Sequence, residues 1–217
     1  MNMLDIFYTL LHGLRITVEL TVLSTILGGF FAFVFGVGKL SRIKIFKLLS
    51  ILYIEIFRGT SLIVQLFWLY YALPLLGISF DSFVIGVFAL ALNIGAYGAE
   101  VVRGALQAVP KGQNEASLAL GFSPSQRMLR VFLPQAVPEM MPTFINLAIQ
   151  NLKDSAVVSL ISLSDLTYYA NNLQSLTYET LRIYTVTLFM YFFLALLMSW
   201  GLGMLERYLR RWKLQAR

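Results

Sequence analysis

Four polar side chains lie at helical spacing inside an apolar stretch in the second half of the chain. They are Thr143, Asn146, Gln150 and Lys153, separated by three, four and three residues. Such intervals place the side chains along one face of a helix. Polar groups inside a membrane span are costly, so they either mark a path for a solute or join helices by hydrogen bonds. The residues themselves leave both interpretations open.

The charges at the end of this stripe predict a break in the helix. Lys153 is followed directly by Asp154, and neighbouring residues on a regular helix do not face each other. We therefore expect the helix to change geometry here and to direct the two charges toward different partners. Interrupted helices near mid-depth form binding sites in many membrane transporters.

A second polar face is predicted on an earlier apolar stretch. Asn93, Tyr97 and Glu100 are four and three residues apart, so they share one face of a helix. Small residues form another stripe on the same helix, which consists of Ala91, Gly95 and Ala99. Because small side chains let two membrane helices approach closely, we expect tight packing along that stripe.

Two short motifs combine opposite charges on one helix face. Each places an arginine three residues after a glutamate, with a glycine next: Glu55 and Arg58 in the first, Glu100 and Arg103 in the second. Residues at this spacing are neighbours on a helix surface. The pairs are interpreted either as polar collars that receive motion from the cytoplasmic side or as simple mutual neutralisation at the membrane surface.

The composition indicates a membrane protein. Of 217 residues, 58% are hydrophobic and 13% are charged, whereas soluble domains are nearer half apolar and a quarter charged. The chain has no cysteine and a single histidine, His12, so no disulfide, thiol nucleophile, metal site or hydrolytic triad is expected. We expect one domain over residues 1–217 that is not an enzyme.

Five apolar runs of about 20 residues, the length that crosses a bilayer, predict an all-α fold with five spans. They cover residues 16–38, 51–76, 83–103, 137–160 and 183–205. The basic residues behind the net charge of +6 concentrate in 39–47, in 103–135 and from 206 onward. This distribution is typical of cytoplasmic loops and not of a nucleic-acid surface. The N-terminus is therefore predicted outside and the C-terminus inside, without a cleavable signal peptide.

The segment 161–182 is too long for a simple turn and is expected on the outer side. Ser162 precedes Asp165 by three residues, which is the spacing of a capping box. A short helix lying at the outer surface is predicted to begin there.

The polar stretch NEASLALGFSPSQRMLRVFLP carries strong helix start and stop signals. Pro110 can begin a helix that ends at Gly121, because proline suits a first turn and glycine a C-terminal cap. Ser123 and Gln126 form a second capping box, and Pro134 is expected to end the helix that follows. Two short helices joined by a tight elbow are predicted on the cytoplasmic face.

The first helix of the elbow has a surface suited to docking. Ala116 and Ala119 are small and allow another surface to approach closely, while Glu115 provides a charge beside them. An amphipathic helix resting on the lipid surface is the alternative.

The elbow resembles the EAA loop of ABC importer permeases. That motif reads Glu-Ala-Ala, three residues, Gly, nine residues, Ile, one residue, Leu-Pro, and the chain matches this spacing from Glu115 through Gly121 to the closing Leu-Pro. Ser117 replaces the second alanine and Val131 replaces the isoleucine, with little change in size. In that family the loop, here about 104–136, forms the coupling helix that sits in a groove of the ATPase subunit.

Further stretches resemble the permeases of polar amino acids, a group that includes glutamine, histidine, arginine and cystine systems. The similar segments are 55–74, 93–116, 133–138 and 152–167, so the resemblance covers nearly the whole chain. The usual Arg-Gly-Thr-Pro is Arg-Gly-Thr-Ser here, ending at Ser61. Without the proline, the entry to the second span is less rigid.

The resemblance implies a type I ABC importer permease fold in the bacterial cytoplasmic (inner) membrane. It implies alternating access driven by a separate ATPase, which holds the ATP and Mg²⁺, so this chain would need no cofactor of its own. A second permease, identical or related, and an extracytoplasmic solute-binding protein would complete the importer. The alternatives are an importer of another small polar solute and a scaffold subunit without a substrate path.

The expected roles fall into three groups of residues. ATPase coupling is assigned to Glu115, Ala116, Ala119 and Gly121, and the cytoplasmic collar to Glu55, Arg58, Glu100 and Arg103. The substrate path is assigned to Asn93, Tyr97, Asn146, Gln150, Lys153 and Asp154. A polar amino acid needs an acceptor for its ammonium group and donors for its carboxylate, and this set contains both.

Overall fold

All regular structure in the described part of the chain is helical. The structure, a computed structural model, describes the backbone of residues 3–215 and the side chains of residues 4–209. The α-helices are α1 (Met3–Lys39), α2 (Lys44–Gly59), α3 (Leu62–Phe67), α4 (Ser82–Gln107), α5 (Lys111–Ala119), α6 (Pro124–Arg127), α7 (Leu133–Asp154), α8 (Leu166–Thr177) and α9 (Thr180–Gln215). The π-helical segments are Trp68–Ala72 and Met128–Phe132, and the 3₁₀-helices are Leu73–Leu76 and Ser155–Ile161.

The two long helices α1 and α4 cross through small residues at the centre of the molecule. A Cβ atom at Gly36 of α1 would lie 2.7 Å from the carbonyl oxygen of Ala99 on α4. A Cβ atom at Gly95 of α4 would lie 3.1 Å from the carbonyl oxygen of Gly28 on α1. Such spacing leaves no room for larger side chains. The predicted close packing along Ala91, Gly95 and Ala99 is therefore confirmed.

The second predicted span is not one continuous helix. α2 meets the segment after it at an angle of 107°, because Thr60 and Ser61 have extended backbone dihedrals that interrupt the helical hydrogen bonds. The buried side chain of Gln65 stabilises the bend, since its Nε2 donates to the Phe57 carbonyl oxygen at 2.9 Å and to Thr60 Oγ1 at 2.8 Å. The sequence over 51–76 remains apolar through the bend, so hydropathy alone did not predict it.

Three helices in the described range are long and apolar enough to cross a membrane: Leu4–Lys39, Ser82–Gln107 and Thr180–Leu209. The bent α2–α3 segment would make a fourth if its two halves cross together. The remaining predicted span, 137–160, falls on α7 and the 3₁₀-helix after it, where polar residues and internal prolines interrupt the apolar pattern. Five spans and the sidedness of the termini stay predictions.

The helix after the elbow continues into α7, so the prediction that Pro134 ends it is wrong. α6 passes through the π-helix Met128–Phe132 into α7 without a gap. The N–H of Leu133 donates to the Met128 carbonyl oxygen, five residues earlier, and Pro134 lies in the first turn of α7. The wider π register and the tolerance of a first turn for proline explain the continuity.

A short helix occupies the segment between α7 and α9, as predicted, but its cap is Asp165 and not Ser162. Asp165 Oδ1 accepts a hydrogen bond from the Tyr168 N–H at 2.8 Å. Ser162 instead has a left-handed φ of 60° and ends the preceding 3₁₀-helix. α8 packs against the first turns of α1 and against α9 through a buried apolar cluster that includes Leu166.

The buried carboxyl group of Asp165 makes the stability of this packing depend on pH. Burial raises the pKa of Asp165 to about 6, while hydrogen bonds from the Tyr168 N–H and the Tyr191 hydroxyl lower it by less. Because this pKa lies above the value of about 4 in an unfolded chain, the folded state binds the proton more tightly. The stabilising contribution is therefore present at acid pH and is lost as pH rises through about 6.

We compare the stability of Asp165→Asn with that of the unchanged protein at about pH 5 and at about pH 7.5. The difference in free energy of unfolding is expected to shift in favour of Asp165→Asn by about 1 kcal/mol when the pH is raised from the first value to the second. The substitution keeps a side-chain acceptor for the cap but removes the titrating group. Thermal unfolding in detergent at the two pH values measures the change. Asp165→Ser, which can also cap a helix, should remove the same pH dependence, and a stability difference that is constant with pH would contradict the prediction.

Candidate functional site

A polar cavity of about 370 Å³ lies between the α2–α3 bend, α4 and α7. Its polar lining comes from Thr60, Ser61, Asn93, Tyr97, Gln150, Asn151 and Asp154. Four residues predicted for the substrate path, Asn93, Tyr97, Gln150 and Asp154, therefore meet at one place although they come from two distant helices.

Asp154 is the one charged side chain among the described residues that line the cavity. It is half-buried, and its Oδ1 accepts a hydrogen bond from Gln150 Nε2 at 2.9 Å. α7 ends at Asp154, whose φ of −68° and ψ of −22° are typical of a 3₁₀-helix. The predicted change of helix geometry at this point is confirmed.

Asn146 and Lys153 do not line this cavity. Both side chains are exposed on α7. The lining residues of α7 are Leu147, Gln150, Asn151 and Asp154, a face displaced by one residue from the stripe in the sequence. One residue corresponds to about 100° around a helix, so the cavity and the stripe overlap at Gln150 alone.

Asn151 was not predicted as part of the site. It is buried, and its Nδ2 donates to Ser24 Oγ at 2.7 Å and to Thr25 Oγ1 at 3.0 Å on α1. The sequence did contain a signal, because the buried polar residues Thr17, Thr21 and Ser24 recur on one face of α1. Asn151 thus attaches the cavity wall to α1.

Asn93 attaches the other wall to the bend. Its Nδ2 donates to the Phe57 carbonyl oxygen and to Gln65 Oε1, each at 3.2 Å. The guanidinium group of Arg58 lies 5.4 Å from the centroid of the Tyr97 ring, a cation–π contact between the bend and α4. The position of these walls therefore depends on the conformation of the bend.

Glu55 and Arg58 do not form an ion pair within the described part of the chain, so the structure gives no mutual neutralisation between these two residues. Arg58 contacts Tyr97, and the carboxylate of Glu55 lies 3.9 Å from the ammonium group of Lys39. Both contacts join different helices, and such contacts are not encoded in the spacing of residues on one helix.

An ionic cluster centred on Glu100 joins α1, α2 and α4. Glu100 Oε1 accepts a hydrogen bond from Lys39 Nζ at 2.5 Å, and its Oε2 lies 2.7 Å from Arg103 Nη2. The pairing of Glu100 with Arg103 is therefore confirmed. Lys39, the last residue of α1, was not predicted, although it also approaches Glu55.

The elbow has the predicted geometry. α5 ends just before Gly121, which has a left-handed φ of 72°. Ser123 and Gln126 form both hydrogen bonds of a capping box at the start of α6. Across the elbow, Arg127 Nη1 donates to Asn114 Oδ1 at 2.8 Å. These contacts brace the two short helices against each other.

The outer surface of the elbow is open. Glu115, Ala116 and Ala119 are exposed, whereas Ser117, which stands at the second alanine of the EAA pattern, is only 2% exposed. Leu118 and Leu120 are 53% and 72% exposed and were not predicted as part of this surface. Exposed apolar groups around one carboxylate are typical of a contact surface.

The chain, with its bent helices, polar cavity and two-helix elbow between α4 and α7, has the permease fold of type I ABC transporters. The chain belongs to the family described as binding-protein-dependent transport system inner membrane component, whose sequence profile matches residues 24–211. It is therefore a transport subunit of the cytoplasmic membrane and not an enzyme.

Several proteins of assigned function are similar over nearly their whole length. A probable amino-acid ABC transporter permease of Sinorhizobium fredii is 51% identical over 93% of this chain and 87% of its own. The arginine transport system permease ArtQ of Bacillus subtilis is 36% identical over 93% of this chain and 92% of its own. The L-cystine transport system permease TcyB of the same organism is 33% identical over 92% of this chain and 86% of its own.

Solved structures confirm the fold. A crystal structure of an amino acid ABC transporter with histidines matches with a TM-score of 0.87 and 39% identity, over 95% of this chain and 96% of the other. An inward-facing MetNI methionine ABC transporter matches with a TM-score of 0.76 and 23% identity, over 93% and 96% of the two chains. The second similarity bears on the fold alone.

Proposed function

We propose that this chain is the permease subunit of an ATP-driven importer of polar amino acids. The observation that carries the proposal is the 39% identity to the solved amino acid ABC transporter over 95% of the chain. The relatives named for arginine and cystine transport support polar amino acids as the solute class.

The polar cavity is the proposed binding site of the transported solute. Its volume of about 370 Å³ falls within the range of small-molecule sites. The Asp154 carboxylate can accept a hydrogen bond from an ammonium group, and the second N–H of the Gln150 amide, beside the one bonded to Asp154, can donate to a carboxylate. Asn146 and Lys153, exposed on α7, are proposed as contacts along the path outside the cavity.

The proposed topology has five crossings, with the N-terminus outside and the C-terminus in the cytoplasm. The basic residues support it, because they concentrate in 39–47, in 103–135 and from 206 onward. With this orientation, the elbow and the ionic cluster around Glu100 lie toward the cytoplasmic side.

The elbow is the proposed contact with an ATPase subunit, which holds ATP and Mg²⁺. Its exposed surface around Glu115 would occupy a groove of that partner, and its internal braces let it move as one body. Closure of two ATPases would pull the elbows of this chain and of a second permease, of the same or a related sequence. The cavity would then open outward to receive the solute from an extracytoplasmic binding protein.

The ionic cluster is the proposed link between the elbow and the cavity. Lys39 connects α1 to Glu55 on α2 and to Glu100 on α4, and α4 leads directly to the elbow. Since α4 lines the cavity and α2 leads into the bend that also lines it, displacement of α4 would be transmitted to the bend. The predicted collar residues Glu55, Arg58, Glu100 and Arg103 would act together with Lys39 in this way.

Uptake into proteoliposomes tests the proposal. The permease is copurified with its ATPase, reconstituted, and supplied with internal MgATP and external binding protein. Radiolabelled arginine, histidine, glutamine, glutamate and cystine are offered one at a time. We expect ATP-dependent accumulation of at least one, and no accumulation of any would contradict the proposed solute class.

Asp154→Asn should weaken transport of the accepted amino acid. The substitution replaces a charged acceptor for the ammonium group with a neutral one, and a hydrogen bond to a charged partner contributes about 1.5–3 kcal/mol. The expected result is a rise in KM of roughly tenfold or more, measured as initial uptake rates over a range of concentrations.

Asp81→Asn is the matched control, because Asp81 is an exposed cap at the start of α4, and asparagine can also cap a helix. This variant should keep the KM of the unchanged protein. An unchanged KM in Asp154→Asn would place the solute elsewhere.

A further inference from the structure

The corner between α1 and α2 presents unpaired positive charge. Arg42, Lys44 and Lys47 are all exposed. None of the three makes a hydrogen bond or an ion pair through its side chain within the described range. No acidic residue occurs between 40 and 54, so the charge has no compensation nearby in sequence.

Several other basic side chains of the described range are engaged, whereas Lys111, Arg130 and Lys153 are exposed cations that lie apart from one another. Lys39 bonds to Glu100, and Arg15 and Arg182 each pair with a glutamate on their own helix. The corner differs from these isolated cations because its three unpaired cations lie within six residues of the chain.

Apolar side chains alternate with these cations and are equally exposed. Ile43 and Ile45 are 66% and 73% exposed, and Leu48, one turn further along α2, is 67% exposed. α2 cannot rotate to bury them, because its opposite face is held close to α1: a Cβ at Gly38 would lie 2.9 Å from the Phe46 ring. The corner thus keeps cations and apolar side chains together on one open surface.

We infer that this corner binds the headgroup of an anionic phospholipid. The phosphodiester would contact Arg42, Lys44 and Lys47, while the acyl chains would lie along the exposed leucines of α2. Basic residues beside a membrane helix attract anionic lipid electrostatically, and neighbouring apolar side chains enter the acyl region. A phospholipid carries its anionic group and its apolar chains in one molecule, which matches the mixture of cations with Ile43 and Ile45, whereas a nucleic acid would leave these isoleucines without apolar partners.

Native mass spectrometry of the detergent-purified transporter tests the inference. Palmitoyl-oleoyl-phosphatidylglycerol and the matching phosphatidylcholine are titrated onto the complex, and the bound copies are counted. We expect R42Q/K44Q/K47Q to weaken phosphatidylglycerol binding by on the order of tenfold to a hundredfold. R42K/K44R/K47R, which keeps the charges, should bind like the unchanged protein.

A second measurement needs no variant. Phosphatidylglycerol binding to the unchanged complex should fall when NaCl is raised to about 0.5 M, because salt screens exposed charges. The inference would be overturned if the glutamine variant bound phosphatidylglycerol as tightly as the unchanged protein. It would also be overturned if the charge-retaining variant lost as much binding as the glutamine variant. Displacement of the lipid by free glycerol phosphate at equal concentration would also overturn it, since the site would then recognise a soluble phosphate. None of these readouts requires transport, so they test the lipid site independently of the proposed function.

Discussion

Glu115→Lys is expected to abolish amino-acid uptake and the stimulation of ATP hydrolysis by loaded binding protein. Glu115 is an exposed carboxylate on α5, beside Ala116 and Ala119 at the tip of the elbow. If this surface sits in a groove of the ATPase, reversing its charge replaces an attraction with a repulsion at the contact that transmits force. Removing one partner of a charge pair that is buried in an interface costs about 2–5 kcal/mol, so a loss of roughly 30-fold or more is expected.

The measurements are uptake into proteoliposomes and the ATPase rate with and without binding protein. Membrane insertion should be unaffected, since the position is exposed and α5 contains a lysine already at its first residue. Ser125→Lys provides a matched control, because Ser125 is exposed on α6, within the same elbow. It should retain most of the uptake.

Normal uptake by Glu115→Lys would rule out the docking role of this face of α5. Equal loss in Ser125→Lys would indicate that any added charge on the elbow is harmful, which would contradict a specific role for Glu115. Crosslinking supplies an independent measurement, since residues 111–122 should form products with the ATPase subunit and not with the extracytoplasmic binding protein.

Gly36→Leu is expected to prevent stable folding of the permease. Gly36 lies at the crossing of α1 and α4, where even a Cβ atom would be 2.7 Å from the backbone oxygen of Ala99 and 2.7 Å from the Val102 Cβ. A backbone atom in a helix cannot move aside as the end of a flexible side chain can, so the helices must separate. Overpacking commonly costs about 1–3 kcal/mol, and a whole leucine side chain at a backbone contact should exceed that range.

Gly29→Leu is the matched control, because Gly29 is on the same helix and no packing neighbour in the described structure lies within 4 Å of its Cβ position. The yield of monodisperse protein in detergent and its thermal unfolding temperature measure both variants. We expect Gly29→Leu to behave like the unchanged protein and Gly36→Leu to yield little folded material. Equal stability of the two variants would mean that α1 and α4 do not need their close contact.

The geometry of the elbow could be predicted in detail because its signals are local. Proline at a helix start, glycine at a cap and the serine–glutamine box each act within a few residues, so the bounds of α5 and the turn at Gly121 follow from the chain alone. Pro134 was misjudged because a π-helix shifts the hydrogen-bond register just before it. That shift has no simple sequence signature.

The cavity was predicted in part. Asn93, Tyr97, Gln150 and Asp154 were chosen from their spacing and do line it. The predicted polar stripe on α7 nevertheless lies about one residue, or 100°, around the helix from the face that lines the cavity. Spacing shows which residues share a face of a helix, but it does not show how that helix is rotated against its neighbours.

The sequence by itself determined that this chain is a helical membrane permease with a cytoplasmic-type elbow and a small-residue helix crossing. The helices, the elbow and the crossing depend on hydropathy, periodicity and caps, which act over one or two helical turns, whereas the permease class followed from the resemblance of the motifs to a known family. Only the tertiary structure decided that α2 bends by 107°, that Lys39 meets Glu100, and that Arg58 lies over Tyr97. Those contacts join residues about 40 to 60 positions apart, and they exist because helices packed through glycine and alanine approach closely enough for their polar side chains to meet.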